Sequence, residues 1–148
     1  MVKSKRGHFM KKLKNKIVAI TGATGGIGLA TSTLFLQEGA KVVLIDKDQN
    51  TLKEAEESLS SKNAKFFQAD VTSKSEMEDA ISYTENQFGR LDIAFLNAGV
   101  EGPVKSIFDY TSEEFEKVMA INVKGVFLGL KVCATSMMKH HKGSIIIT

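Results

Sequence analysis

The sequence predicts an α/β fold built on a doubly wound parallel sheet, and three observations support this prediction. Five short apolar runs alternate with longer helical patterns, and the first four runs start about 25 residues apart. That spacing suits strands joined by crossover helices, which makes neighbouring strands parallel. The runs are nearly continuous rather than alternating, as expected of strands covered on both faces. Helix-capping residues stand between the runs, where helices would begin and end.

The apolar runs are the predicted strands, and the first four end at polar residues. This matters because ligands of open parallel sheets bind in the crevice outside the carboxyl ends of the strands. The chain ends at the fifth run, so the predicted sheet is truncated after its fifth strand. The predicted strands are Ile17–Thr21, Val42–Asp46, Phe66–Asp70, Leu91–Asn97 and Ser144–Thr148.

The segments between the strands have the start and stop signals of helices. Gly39 suits the end of the first helix, because glycine favours the left-handed conformation found there. Ser73 with Glu76, and Thr111 with Glu114, have the spacing of capping boxes and start the third and fourth helices. The predicted helices are Ile27–Glu38, Gln49 to about Ser61, Ser73–Phe88 and Thr111 to about Lys139.

Length and composition predict one soluble domain with a basic tail. The 148 residues are 43% hydrophobic and 25% charged, which is typical of a globular protein. The net charge of +3 arises from the start of the chain, because residues 1–16 hold seven basic residues and no acidic one. Without those seven, 13 basic and 17 acidic residues remain, a net charge of −4. We therefore expect no nucleic-acid partner for the body of the domain.

Cysteine use and hydropathy favour a cytoplasmic protein. Cys133 is the only cysteine, which excludes an intrachain disulfide and a cysteine-based zinc site. The start of the chain lacks the apolar stretch of a signal peptide. No uninterrupted run of about 18 apolar residues occurs, so no membrane span is expected. The three histidines lack partners at metal-ligand spacing, and no metal site is expected.

The most informative segment is the turn after the first strand, Thr21-Gly22-Ala23-Thr24-Gly25-Gly26-Ile27-Gly28. Its glycines allow a tight turn and a close approach to a ligand, and the free N–H groups at the following helix N-terminus attract negative charge. The glycine spacing differs from the commoner G-x-G-x-x-G pattern, and tight packing of strand on helix would also use such a turn. The order of strand, turn and helix favours a phosphate site.

Acidic residues follow the next two strands. Asp46 can accept hydrogen bonds from the hydroxyls of an adenosine ribose, although it is also an ordinary residue for a strand end. Because Asp46 would repel a ribose phosphate and only Lys47 is nearby to offset it, NAD is favoured over NADP. Asp70 can bind the edge of an adenine ring beside the apolar Val71, or it can cap the following helix.

Asparagines mark two further positions. Asn97, Ala98 and Gly99 follow the fourth strand, where small residues let the backbone approach a ligand closely. Asn97 can bind loop backbone groups there, and a purely structural turn is equally compatible with it. Asn122 is a poor helix former within a long predicted helix, which calls for a reason, although an exposed helix asparagine is also common.

These features resemble the short-chain dehydrogenase/reductase family over about residues 12–148. The stretches Asn97–Gly102 and Ile121–Leu130 are similar to those of NAD-dependent secondary-alcohol dehydrogenases and 3-oxoacyl-carrier-protein reductases. Five motifs in the family's order carry the resemblance: Thr21–Gly28, Asp46, Asp70-Val71, Asn97-Ala98-Gly99 and Ile121-Asn122-Val123-Lys124-Gly125.

The resemblance implies that residues 13–148 form an NAD-binding Rossmann domain behind a basic tail of residues 1–12. It implies that Asn122 kinks its helix and holds a water of the catalytic proton relay. The implied cofactor contacts are Gly22, Thr24, Gly25, Gly26, Ile27 and Gly28 for the pyrophosphate, Asp46 for the adenosine ribose, Asp70 and Val71 for adenine, and Asn97, Ala98 and Gly99 for the nicotinamide ribose.

The resemblance also implies hydride transfer between NAD and an alcohol or ketone, for which the family uses a serine, a tyrosine and a lysine four residues after the tyrosine. Here Gln87 follows Tyr83 and Glu114 follows Tyr110 at that spacing. In family order the three residues would follow the fifth strand. We therefore expect the 148 residues to be the cofactor-binding part of such an enzyme, inactive alone, and expect the completed chain to form a homo-oligomer.

Two other functions stay open at this point. A non-catalytic nucleotide-binding or interaction module working as this short chain would also use the glycine turn. A methyltransferase or a sugar-nucleotide epimerase is a further possibility, since methyltransferases share the glycine turn and the acid after the second strand. The Asn97–Gly99 triplet and Asn122 argue against that third class.

Overall fold

The computed structural model describes residues 11–148 and shows a five-stranded parallel sheet with the strand order β3-β2-β1-β4-β5. This confirms the predicted α/β fold. Residues 1–10, most of the predicted basic tail, lie outside the described residues. The strands are β1 (Ile17–Thr21), β2 (Lys41–Asp46), β3 (Ala64–Gln68), β4 (Ile93–Leu96) and β5 (Ser144–Ile147).

The order of the strands creates the crevice that a ligand would use. Strand β1 lies at the centre, with β2 on one side and β4 on the other. Thr21, the last residue of β1, is in register with Ile45 of β2 and with Leu96 of β4. The carboxyl ends of these strands therefore meet at one edge of the sheet. The chain runs outward in opposite directions from β1, and such a switch point is where ligands of doubly wound sheets bind.

Helices cover both faces of the sheet. One face packs mainly against α1 and α2, and the other against α3 and α5. The predicted fourth helix is one continuous helical segment from Ser112 to Met138, but its middle is a π-helical turn at Ala120–Gly125. The helices are α1 (Gly26–Gln37), α2 (Gln49–Leu59), α3 (Lys74–Phe88), α4 (Ser112–Met119) and α5 (Val126–Met138), with a short 3₁₀ turn at Ile107–Asp109.

The two predicted capping boxes have different outcomes. At α4 the box is complete: Thr111 Oγ1 accepts from Glu114 N (3.3 Å), and Glu114 Oε2 accepts from Thr111 N (2.9 Å). At α3 only half of it forms. Ser73 Oγ accepts from Glu76 N, but the Glu76 carboxylate accepts from the backbone N–H of Asp70 instead of Ser73. The loop before α3 is thus tied to the first turn of the helix.

Two predicted strands differ from the observed ones. The third was predicted two residues too far along the chain, and the fourth was predicted too long. The third strand is Ala64–Gln68 rather than Phe66–Asp70, because Val42 to Asp46 pair with Ala64 to Gln68. Asp70 therefore lies in the loop after β3. The fourth strand is shorter than predicted and ends at Leu96, so that Asn97 is the first residue beyond it.

A buried carboxylate joins the amino ends of β1 and β4. The Asp92 side chain is 8% exposed, and it accepts from Ile17 N (2.9 Å) and from Arg90 Nε (2.8 Å). Burial acts to raise the pKa of Asp92, but the hydrogen bonds from Arg90 and Ile17 outweigh it and hold the pKa below its ordinary value. Asp92 is therefore charged and structural at neutral pH.

The segment Ser112–Met138 is long and apolar enough, by length and composition alone, to cross a membrane. The expectation of no such segment considered only uninterrupted apolar runs and overlooked it. Core helices of soluble proteins pass the same test. Here 28% of the apolar window is buried. The buried residues include Leu128, Val132 and Cys133 of α5, which packs against β4, β5 and α3.

Candidate functional site

A cleft of about 570 Å³ opens at the carboxyl ends of β1, β2, β3 and β4. The structure brings 11 of the 13 predicted site residues together in its lining and leaves out Gly28 and Asn122. The predicted residues in the lining are Gly22, Thr24, Gly25, Gly26, Ile27, Asp46, Asp70, Val71, Asn97, Ala98 and Gly99.

Two glycines of the turn are needed for packing. Gly22 has a φ of +60°, and a Cβ placed on it would lie 2.8 Å from the Cα of Ala98. A Cβ on Gly28 would overlap the carbonyl oxygen of Gly22 and lie 2.8 Å from the Cα of Ala23. Real carbon atoms do not approach this closely. These glycines let the loop after β4 and helix α1 approach the end of β1. Gly28 therefore supports the turn that lines the cleft without lining the cleft itself.

The two glycines between them have a different environment. A Cβ on Gly26 would meet no atom within 4 Å, and one on Gly25 would meet only the Gly22 carbonyl oxygen, at 3.4 Å. Helix α1 begins here without a side-chain cap, and its first backbone bond runs from Leu29 N to Gly25 O. The Gly25 N–H donates to the Gly22 carbonyl oxygen, which leaves the N–H groups of Gly26, Ile27 and Gly28 as the free donors of the first turn among the described residues. Open space beside free donors at a helix N-terminus fits a phosphate group.

The Asp46 carboxylate lines the cleft beside the glycine turn. Its Oδ2 accepts from both the backbone N–H (3.1 Å) and the hydroxyl (2.7 Å) of Thr24, and its Oδ1 accepts from Lys47 N (2.8 Å). Thr51, at the start of α2, places its hydroxyl 3.0 Å from that of Thr24. The carboxylate is thus held toward the glycine turn.

Asp70 and Val71 form the floor beside β3. The Asp70 Oδ1 accepts from the backbone N–H and the hydroxyl of Thr72, and mainly the first of these bonds lowers the pKa of Asp70. Asp70 does not cap α3, since Ser73 takes that place. The Val71 side chain packs so tightly on Gly125 that a Cβ there would lie 2.8 Å from its Cγ2.

The Asn97 side chain has a structural role at the switch point. Its Nδ2 donates to the carbonyl oxygens of Thr21 (3.2 Å) and Gly22 (3.1 Å). The buried Thr21 hydroxyl in turn accepts from the N–H groups of Asn97 and Ala98. These bonds join β1 to β4 beyond their last paired residues. The backbone of Ala98 and Gly99 is thereby placed along the cleft.

Asn122 lies within the π-helical turn and outside the cleft lining. Its Oδ1 accepts from Val100 N and its Nδ2 donates to Val100 O, both at 2.9 Å. The side chain thus pairs with the loop after β4 as a neighbouring strand would. This gives the reason for an asparagine within the helix: it holds the Gly99–Val100 backbone at the rim of the cleft. A site water at Asn122 stays a prediction.

Several residues that line the cleft were not predicted from the sequence, and neither was the supporting role of Thr21. Thr51 and Asp48 come from the start of α2, and Val100 and Ile121 from the rim. Apolar and N-cap residues of this kind occur throughout the chain, so only their position identifies them. Thr21 carried a signal, because a buried threonine at the end of an otherwise apolar strand needs a hydrogen-bond partner.

Neither tyrosine lines the cleft. Tyr83 packs on Phe67 with ring centroids 5.0 Å apart, and Tyr110 lies beside Lys105 and the Gly102 backbone. Within the described residues, the cleft thus contains groups suited to binding and no tyrosine hydroxyl.

The strand order and the position of the cleft define an α/β protein of the Rossmann type. The family model for short chain dehydrogenases matches residues 16–148, and the chain belongs to that family. It is 39% identical over 138 residues to short-chain dehydrogenase reductase 3c of Arabidopsis thaliana, covering 93% of this chain and 54% of the relative. It is 41% identical over 137 residues to 2-(S)-hydroxypropyl-CoM dehydrogenase 3 of Xanthobacter autotrophicus, covering 91% and 53%.

Solved structures agree with this assignment. The chain superposes on NAD⁺-bound xylitol dehydrogenase with a TM-score of 0.87 and 35% identity, covering 92% of this chain and 53% of that one. For levodione reductase the TM-score is 0.86, with 33% identity and coverage of 90% and 54%. The chain thus spans about half the length of the relatives it matches.

Proposed function

We propose that the cleft binds NAD and that the enzyme to which this chain contributes transfers a hydride between NAD and an alcohol or ketone. One observation carries the proposal: the open space at Gly25 and Gly26, the Asp46 carboxylate and the Asp70–Val71 floor line a single cleft. In this arrangement the first turn of α1 holds the pyrophosphate. Asp46 accepts from the adenosine ribose, and Asp70 with Val71 contacts adenine.

The backbone at Ala98 and Gly99 would line the nicotinamide ribose in the same arrangement. Bound NAD supplies the hydride acceptor. The chain's own residues bind and orient it, and Asn122 supports the rim beside Gly99 through Val100. A tyrosine–lysine pair four residues apart does not occur in residues 1–148. We therefore expect binding without turnover from this chain.

Titration of the purified 148-residue chain with NAD, NADP and S-adenosylmethionine tests the proposal. We expect NAD to bind most tightly and to raise the unfolding free energy by about 2.7 kcal/mol at 100 times its dissociation constant. We expect no alcohol-dependent NAD reduction. A preference for S-adenosylmethionine would contradict the dehydrogenase assignment, and measurable turnover would contradict the division between binding and catalysis.

The substitution Gly26→Ala separates binding from folding. No atom of residues 11–148 lies within 4 Å of the new methyl group, so we expect the unfolding free energy to stay within about 0.5 kcal/mol of wild type. The methyl group fills the proposed pyrophosphate space, and NAD affinity is expected to fall at least about tenfold. Calorimetric titration with NAD and urea unfolding measure the two effects.

Ala30→Ser provides the control for Gly26→Ala, because Ala30 is exposed on the same helix and lies outside the cleft. It should bind NAD as wild type does. Unchanged NAD affinity in Gly26→Ala would place the pyrophosphate elsewhere.

We propose that the enzyme is cytoplasmic and that it forms a homo-oligomer. Burial raises the pKa of the Cys133 thiol to about 12, so this cysteine stays protonated and unreactive. A cytoplasmic location is proposed from the single cysteine of the sequence. Phe115, Met119, Val123 and Phe127 form an exposed apolar stripe that runs from α4 through the π-helical turn into α5. We propose that the intact enzyme forms a homo-oligomer through this stripe. The proposal includes no nucleic-acid and no membrane partner.

A further inference from the structure

We infer that Thr24 and Thr51 are positioning residues that hold the Asp46 carboxylate and thereby set the preference for NAD over NADP. This inference rests on the proposed function, because it concerns the end of the cleft where the adenosine ribose would lie. Both threonines line the cleft and are partly buried.

Hydrogen bonds alone hold the Asp46 carboxylate. Both bonds to Asp46 Oδ2 come from Thr24, at 3.1 Å from its N–H and 2.7 Å from its hydroxyl. The other oxygen accepts from Lys47 N at 2.8 Å. None of the ion pairs within residues 11–148 includes Asp46. Its negative charge is therefore oriented but not neutralised by a cation.

The single proton of each hydroxyl decides which of Thr24 and Thr51 is the donor in the bond between them. A hydroxyl has one proton, and Thr24 uses its proton on the charged carboxylate, which makes the stronger bond. The Thr51 hydroxyl is then a donor, and its one proton is shared between Thr24 Oγ1 (3.0 Å) and the Asp48 carbonyl oxygen (3.1 Å). Thr51 therefore acts on Asp46 through Thr24.

The start of α2 keeps Thr51 in place. The Asp48 carboxylate caps this helix by accepting from the N–H groups of Asn50 (2.8 Å) and Thr51 (3.4 Å). The turn after β1 and the start of α2 are thus joined by the Thr51–Thr24 contact, and Thr24 in turn bonds to Asp46 at the end of β2. Such an arrangement resists rotation of the carboxylate.

The consequence for the ligand follows from charge and hydrogen-bonding capacity. A ribose diol carries two O–H donors and can bond to a fixed carboxylate. A 2′-phosphate offers acceptors and negative charge, and a carboxylate that cannot turn away repels it. A carboxylate freed from Thr24 can rotate out of the way, and the adjacent Lys47 then offsets part of the phosphate charge.

The test compares NAD and NADP affinities of the 148-residue chain and its Thr24→Val, Thr24→Ser and Thr51→Val variants by calorimetric titration. For Thr24→Val we expect NAD affinity to fall about tenfold, the effect of one hydrogen bond to a charged group. NADP affinity should stay unchanged or rise, because the freed carboxylate no longer opposes the 2′-phosphate. Thr24→Ser keeps the hydroxyl and should preserve the wild-type ratio. Thr51→Val should lower the ratio of NAD affinity to NADP affinity about threefold, a smaller effect because Thr51 acts on Asp46 through Thr24.

Thr33→Val is the matched control, because the partly buried Thr33 hydroxyl donates to the Leu29 carbonyl oxygen within α1 and lies outside the cleft lining. It should leave the ratio unchanged. A wild-type preference for NAD that survives both Thr24→Val and Thr51→Val overturns this inference alone. A wild-type chain that binds neither nucleotide overturns the proposed function, and this inference with it. Thr51→Val keeps the test decisive if Thr24→Val fails to fold.

Discussion

Gly28→Ala is expected to destabilise the fold by about 3 kcal/mol or more and to abolish NAD binding. The new Cβ would overlap the carbonyl oxygen of Gly22 and lie 2.8 Å from the Cα of Ala23. Both obstacles are backbone, which cannot move aside as the end of a flexible side chain can. The turn must open or α1 must move away from β1. Either change disturbs the cleft that the turn lines. Urea unfolding and calorimetric titration with NAD measure the two losses.

Gly26→Ala is the control for this effect, since it adds the same methyl group two residues earlier in open space. The pair therefore distinguishes a glycine required by packing from one required by a ligand. Equal stability of the Gly28→Ala and wild-type chains would show that the turn can relax at little cost, and would remove the packing role assigned to Gly28.

Asp92→Asn is expected to lower the unfolding free energy at neutral pH by about 1 to 3 kcal/mol. The carboxylate accepts from Ile17 N with one oxygen and from Arg90 Nε with the other. An amide of the same shape has only one oxygen, so one of the two donors loses its acceptor and faces an NH₂ group. Burial of the site makes that loss costly.

The loss of stability caused by Asp92→Asn is expected to depend on pH, and the lowered pKa of Asp92 gives the direction of that dependence. The pKa of Asp92 is lowered in the folded state from the ordinary value of 3.8. Its contribution to stability is therefore complete above pH 3.8 and is lost as the pH falls through the lower, folded pKa. We expect the difference between wild type and Asp92→Asn to be constant from pH 7 to about pH 5 and to shrink in more acidic solution.

Asp79→Asn serves as the control for Asp92→Asn, because Asp79 is an exposed carboxylate on α3. Its unfolding free energy should stay within about 0.5 kcal/mol of wild type. Chemical unfolding at a series of pH values measures both variants. A difference between wild type and Asp92→Asn that grows on acidification would contradict the assignment of Asp92 as the charged partner.

Predictions from local patterns succeeded where one short-range rule decides the structure. Strand β1 and the end of β2 at Asp46 were predicted correctly from continuous apolar runs that stop at polar residues. The complete capping box at Thr111 depends only on residues three apart in sequence. The incomplete box at Ser73 shows the limit of such rules. Glu76 there has a competing partner in the Asp70 backbone, which the pattern does not reveal.

The sequence by itself determined the fold class, the family resemblance and the edge of the sheet where the cleft lies. The alternation of strands and helices, the glycine spacing and the polar residues after each strand all depend on neighbours along the chain, and these can be read directly. Only the tertiary structure decided what each side chain does there. It showed that Gly28 is required for packing, that Asn97 joins β1 to β4, and that Thr51 reaches Asp46 through Thr24. The Thr51–Thr24 and Asn97–Thr21 contacts join residues 27 and 76 positions apart, and short-range patterns contain no information about distances in space.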